Sequence, residues 1–176
     1  HTALIAIPSA LSSVDAAPIL CAGTATFTAL RQSDARAGDK VAILGAGGLG
    51  HMAIQYAHKM GYEVIVIARG GEKERDAVEL GAHHYIDALT ENVTERLKAL
   101  GGVNLILATA PDSDAVSALL PTLSPKGKAI LLGTGRTPLQ IMPGMMIGAE
   151  RTVTGSFVST PAQTERALHF TQLFQT

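Results

Sequence analysis

Two short apolar runs, residues 41–44 (VAIL) and 64–67 (VIVI), bracket the segment GAGGLGHMAIQYAHKMG, and this arrangement limits the folds open to the chain more than any other feature. Each run is apolar at consecutive positions and carries β-branched residues, as a strand covered on both faces must. Between them Met52, Ile54, Ala57 and Met60 recur at helical spacing until Gly61 stops the pattern. Strand, glycine turn, helix and strand in that order predict a parallel βαβ unit with a right-handed crossover.

The alternation continues downstream. A helix through Arg75, Ala77, Val78 and Leu80 ends at Gly81, a weak third strand falls at Tyr85 and Ile86, and a charged amphipathic helix covers residues 91–100. Residues 103–108, 128–132 and 151–157 predict three more strands. A helix over residues 112–120, with an Asp or Ser as cap, and a loop rich in Pro, Gly and Met over residues 134–148 separate them, and a last helix starts at Pro161. The expected fold is α/β: a Rossmann-type doubly wound, six-stranded parallel sheet with helices on both faces. At 176 residues and 47% apolar content, one domain spanning residues 1–176 is expected. His1 in first place and a helix running to Thr176 lead us to expect a fragment of a longer protein.

The 14 basic and 15 acidic residues are evenly spread, which disfavours a nucleic-acid or membrane-surface partner. No uninterrupted apolar run approaches the roughly 20 residues that cross a bilayer. Nor does a charged-then-apolar leader open the chain, so a cytoplasmic location is expected. Cys21 is the single cysteine, and it can form neither an intrachain disulfide nor a paired-cysteine zinc site.

Gly45, Gly47 and Gly50 satisfy G-x-G-x-x-G, a weak pattern by itself in a chain with 18 glycines. Its place between a strand and a helix is what the dinucleotide fingerprint requires. Gly45 permits the turn, Gly47 admits backbone N–H groups to a pyrophosphate, and Gly50 lets the helix pack on the strand. Gly48 and Leu49 complete the loop, and the helix N-terminus adds partial positive charge. A plain strand-to-helix turn, or a methyltransferase loop holding a different adenosine ligand, is the competing reading.

The end of the second run bears on which cofactor is held. An acidic residue there accepts hydrogen bonds from the adenosine ribose 2′-hydroxyl, whereas an arginine accommodates a 2′-phosphate. The chain reads Ile67-Ala68-Arg69-Gly70-Gly71, so Ala68 and Arg69 favour NADP over NAD, with Lys73 placed to assist. A solvated loop arginine is the plainer alternative. Thr109 and Ala110, Gly133 and Thr134, and Ser156 and Phe157 end later strands and are expected to line the same crevice, mainly through backbone groups.

The segments DAAPILCAGTATFTAL, AGDKVAILGAGGLGHMAIQYAHKMGYEVIVIA, ELGAHHYID and TVTGSFVST together resemble the cofactor-binding half of zinc-dependent medium-chain alcohol dehydrogenases, including the cinnamyl alcohol dehydrogenase-like branch. The resemblance implies hydride transfer between NADP(H), or NAD(H), and an alcohol or aldehyde in the intact enzyme. It also implies that Cys21 is one ligand of the catalytic zinc. The other protein ligands would lie in a separate catalytic domain outside this chain, so the isolated domain is expected to bind cofactor, hold no zinc tightly and catalyse nothing. Ala25 departs from the family's threonine near the nicotinamide. A homodimer joined along the sheet edge near the sixth strand is a further implication. On the residues alone, Cys21 reads as a buried helical cysteine, and a non-catalytic dinucleotide-binding or sensing module is the alternative function.

Other chemistries find little support. Tyr56, Tyr62 and Tyr85 are followed four residues on by Met60, Val66 and Leu89, not by the lysine of short-chain dehydrogenases. Neither a G-K-[ST] phosphate loop nor a G-x-S-x-G elbow is present. The pairs His51/His58 and His83/His84 lack a neighbouring carboxylate in sequence and read as solvated or interface residues. Ile141, Met142, Met145, Met146 and Ile147 read as core or as an exposed subunit contact.

Overall fold

The computed structural model describes residues 4–158 and 160–176; His1, Thr2, Ala3 and Ser159, the last within TVTGSFVST, lie outside the described residues. Six parallel strands form one sheet: β1 (Lys40–Leu44), β2 (Glu63–Ala68), β3 (His84–Asp87), β4 (Val103–Ala108), β5 (Leu123–Leu131) and β6 (Thr152–Gly155). Their order is β3-β2-β1-β4-β5-β6. The direction of winding reverses between β1 and β4, and ligands of such sheets sit at the carboxyl end of that junction.

The helices are α1 (Ser13–Pro18), α2 (Thr24–Arg31), α3 (Gly48–Lys59), α4 (Glu74–Glu79), α5 (Val93–Ala99), α6 (Ser113–Leu119), α7 (Pro143–Ile147) and α8 (Pro161–Phe174). Alternation along the strands divides the core in two. Val41, Ile43, Val64, Val66, Leu105 and Leu107 pack with residues of α2, α3, α4 and α8. Ala42, Leu44, Ile65, Ile67, Ile106 and Ala108 pack with Leu97 of α5 and with Val116 and Leu119 of α6. Each fully buried aliphatic side chain of this kind contributes about 1.5–3 kcal/mol, so strand registers at the sheet centre are firmly held and the strand ends carry the turns to fixed places. On the first face the rings of Phe27, Tyr56 and Phe170 meet at 5.3–5.7 Å between centroids. The Tyr56 hydroxyl lies 2.8 Å from Thr171 Oγ1, joining α3 to α8.

Several boundaries differ from the sequence reading. β5 starts at Leu123 rather than Lys128, because Leu123 pairs with Val103 before the register shifts and Lys128 pairs with Leu105. Lys126, at φ 62°, marks the irregular stretch between these pairings. β6 is shorter than the expected residues 151–157, although Ser156 N–H still donates to Leu131 O at 3.0 Å. The loop over residues 134–148 contains the short helix α7.

Upstream of β1, α1, a π-helical turn over Ile19–Gly23, and α2 form one helical run of 19 residues with mean hydropathy 1.2. That is long and apolar enough to cross a membrane, but 56% of its apolar window is buried inside the fold, where α2 packs on α3 and α8.

Candidate functional site

β1 brings Gly45 to the switch point in a left-handed conformation, φ 106°, with its N–H donating to Ile67 O at 2.8 Å. A Cβ at Gly45 would meet Thr109 Oγ1 at 2.8 Å and Ala110 Cβ at 3.1 Å, so only glycine fits there without strain. Gly50, buried in the first turn of α3, packs so closely that a Cβ would overlap the Gly45 carbonyl. Gly47 and Gly48 are the opposite case: both are exposed, and a Cβ on either would touch nothing within 4 Å.

Gly47 is the N-cap of α3 and no side chain caps it. His51 N–H, bonded to Gly47 O at 2.8 Å, is a helical donor of this turn. The preceding N–H groups of Gly48, Leu49 and Gly50 have no carbonyl four residues back within the helix, and they leave a concentrated donor set at the positive end of a 12-residue helix.

Thr109, expected to face the crevice, is buried at the β4 end. Its hydroxyl donates towards Leu44 O at 2.9 Å and Gly45 O at 3.2 Å, and the N–H groups of Thr109 and Ala110 both donate to Leu44 O. The side chain therefore anchors the glycine turn from below, a role that depends on β1 and β4 being neighbours. Ala110, half-buried, lies beneath Gly133, where a Cβ would stand 2.5 Å from Ala110 O. Thr134 is exposed. Ser156 and Phe157 line an open depression of about 430 Å³ with Thr28, Gln32 and Gln163, and the Phe157 ring is 86% exposed. These strand ends share the carboxyl edge of the sheet with the glycine turn.

At the β2 tip Ala68 is buried, whereas Arg69 and Lys73 are exposed, and neither cation is ion-paired among the described residues. Gly70, at φ 83°, is held from β3 on both sides. Its N–H donates to Asp87 Oδ1 at 2.7 Å, and its carbonyl accepts from the Tyr85 hydroxyl at 2.6 Å. Asp87 stands in register with Ala68, so a carboxylate does lie beside the β2 tip, supplied by the neighbouring strand. Its oxygens also accept from Leu89 N–H and the Thr90 hydroxyl. The Leu89 N–H is the main cause holding the Asp87 carboxyl below its usual range; burial opposes it, and the Gly70 and Thr90 donors reinforce it. Asp87 is thus engaged with the loop. Only its proximity through strand order, not its position in sequence, reveals it.

Cys21 is exposed within the π-helical turn, which corrects the reading of a buried small apolar residue. The Thr24 hydroxyl donating to Ile19 O at 2.8 Å supports the turn that turns the thiol outward. Among the described residues no three His, Cys, Asp or Glu side chains gather as a metal site. Ala25 is buried. The histidine pairs need one correction: Glu63, at the start of β2, stands 2.9 Å from His84 Nε2, a carboxylate that sequence spacing hid. His83 Nδ1 accepts from Val64 N–H, and its ring lies 5.4 Å from that of His58. All three of these histidines sit away from the glycine turn.

The sequence profile of the zinc-binding dehydrogenase family matches residues 48–172. An alcohol dehydrogenase of Aspergillus sp. (strain MF297-2) is 48% identical over 126 residues, covering 72% of this chain and 37% of its own length. A cinnamyl alcohol dehydrogenase structure from Sorghum bicolor superposes with a TM-score of 0.87 at 27% identity, over 98% of this chain and 49% of the other. The CAD of Helicobacter pylori, solved with NADP(H), gives 0.74 at 31% identity, over 88% of this chain and 44% of its own. The chain thus spans half or less of the length of these relatives.

Proposed function

The chain belongs to the zinc-binding dehydrogenase family, and from that premise we propose that it is the cofactor-binding part of an alcohol dehydrogenase-like oxidoreductase, holding NADP(H) in preference to NAD(H). One observation carries the reading: the uncapped start of α3, with exposed glycines at Gly47 and Gly48, offers backbone donors and a clear approach to a pyrophosphate. From that point the β2 tip lies on one side, where Arg69 and Lys73 meet a 2′-phosphate. On the other side are the ends of β4, β5 and β6, where Ala110, Gly133, Thr134, Ser156 and Phe157 border the nicotinamide half. Ala68 closes the ribose end. The NADP(H) complex of the Helicobacter pylori relative is consistent with this assignment.

The longer protein's reaction would be hydride transfer between the nicotinamide and an alcohol or aldehyde. Cys21, together with residues of another domain, would hold a zinc ion, which would supply Lewis-acid polarisation of the substrate oxygen. This chain's part is to orient the nicotinamide and to present one thiolate. An exposed thiol suits a reducing compartment such as the cytoplasm.

Two copies pairing along β6 fit the exposure of that strand and of the adjoining Ile141, Met142 and Ile147. Sedimentation at micromolar concentration should show the mass of two chains, and a monomer throughout would remove this assembly. The non-catalytic sensing module loses ground to the family match. Titration of the chain, followed by nicotinamide fluorescence or calorimetry, should show NADPH binding more tightly than NADH, with no binding of S-adenosylmethionine. Binding of S-adenosylmethionine alone would overturn the assignment.

A further inference from the structure

We propose that Glu72 sets the balance between NADP(H) and NAD(H) at this site: its carboxylate accepts a hydrogen bond from a ribose 2′-hydroxyl and opposes a 2′-phosphate. The inference rests on the dinucleotide reading above and adds a residue that acts against the two cations.

The geometry begins with Gly70. Both sides of this residue are held by β3, through Asp87 Oδ1 at 2.7 Å and the Tyr85 hydroxyl at 2.6 Å, so the tip of β2 has a fixed direction. At φ 83° the chain reverses there and enters the single 3₁₀ turn Gly71–Lys73. Glu72 is folded back by that turn, and both of its carboxylate oxygens occupy the space where a Gly70 side chain would stand. Gly70 therefore makes room for the carboxylate. Among the described residues Glu72 has no ion-pair partner, although Arg69 and Lys73 flank it in sequence. Its charge is felt nearby: after burial, Glu72 is the leading cause raising the Tyr85 hydroxyl, ahead of Asp87 and Glu74.

The β2 tip thus carries both signs. Two exposed cations attract a phosphate, while an acceptor-only carboxylate favours a hydroxyl donor and repels an anion. Such a site admits both cofactors and discriminates less than its arginine alone would.

Glu72→Gln keeps the size of the side chain and removes its charge. Its affinity for NADPH should rise about fivefold and its affinity for NADH fall about threefold in low salt, and the change in ratio should shrink at ~0.5 M salt because exposed charges are screened. Glu72→Ala should move the ratio in the same direction. Melting temperatures equal to wild type establish that the fold is intact, as the exposure of Glu72 leads one to expect. An unchanged NADPH-to-NADH ratio in both variants overturns the role of Glu72 while leaving the dinucleotide site standing. A wild-type chain that binds neither nucleotide removes the dinucleotide reading itself, and this proposal with it.

Discussion

Gly50→Ala should lower the affinity for NADPH and for NADH alike by at least about 100-fold, or about 3 kcal/mol. The added methyl would overlap the Gly45 carbonyl, a backbone atom that cannot rotate away. Relief requires α3 to move off the β1 turn, which withdraws its N–H groups from the phosphate and opens the packing of Ala53 and Ile54 on Val41 and Ile43. Overpacking of this kind costs about 1–3 kcal/mol, and for a chain of this length the melting temperature should fall by roughly 2–12 °C. Gly47→Ala is the informative contrast. Its methyl meets nothing within 4 Å and its φ of −92° suits alanine, so the melting temperature should stay at the wild-type value while nucleotide affinity falls. Calorimetric melting and nucleotide titration of both variants separate the two effects. Wild-type affinity in Gly47→Ala would show that the pyrophosphate does not pass over this residue.

That contrast also shows what a sequence can disclose. The strands were legible because a strand covered on both faces is apolar at nearly every position, and residues 64–67 and 105–108 are short, apolar throughout and bounded by turn signals. The turn at Gly45 and the close packing at Gly50 followed from their offsets relative to strand and helix. What stayed hidden depends on contacts between segments far apart in the chain. Thr109 bonds to Leu44 across 65 residues, an interaction that exists only once β4 lies beside β1. Asp87 reaches Gly70 because β3 flanks β2, and no local pattern distinguishes it from a surface aspartate. By residue type alone Cys21 reads as a buried small apolar group, whereas in the π turn it is exposed, and no local pattern announces such a turn. β6 ends at Gly155, short of Phe157, whose ring is left 86% exposed at the edge of the sheet.

The same separation of near and far bears on Arg69. Its location at a strand tip is local and was read from sequence, but its freedom to meet a phosphate depends on whether a neighbouring acid has claimed it. Asp87 is the nearest acid by strand order, and its oxygens are engaged by Gly70, Leu89 and Thr90. Arg69 makes no ion pair among the described residues, so the guanidinium need not break one to bind a ligand. A hydrogen bond to a charged group is worth about 1.5–3 kcal/mol, and Arg69→Ala should therefore weaken NADPH binding by roughly 10- to 100-fold. NADH has no 2′-phosphate, and its affinity should stay within about twofold, since screened attraction at an exposed site is weak. Arg69→Lys should recover part of the loss, because an ammonium supplies charge without the paired donors of the guanidinium. Parallel titrations of the two nucleotides against the three proteins decide the matter: equal losses for NADPH and NADH would mean that Arg69 shapes the loop and does not read the ribose.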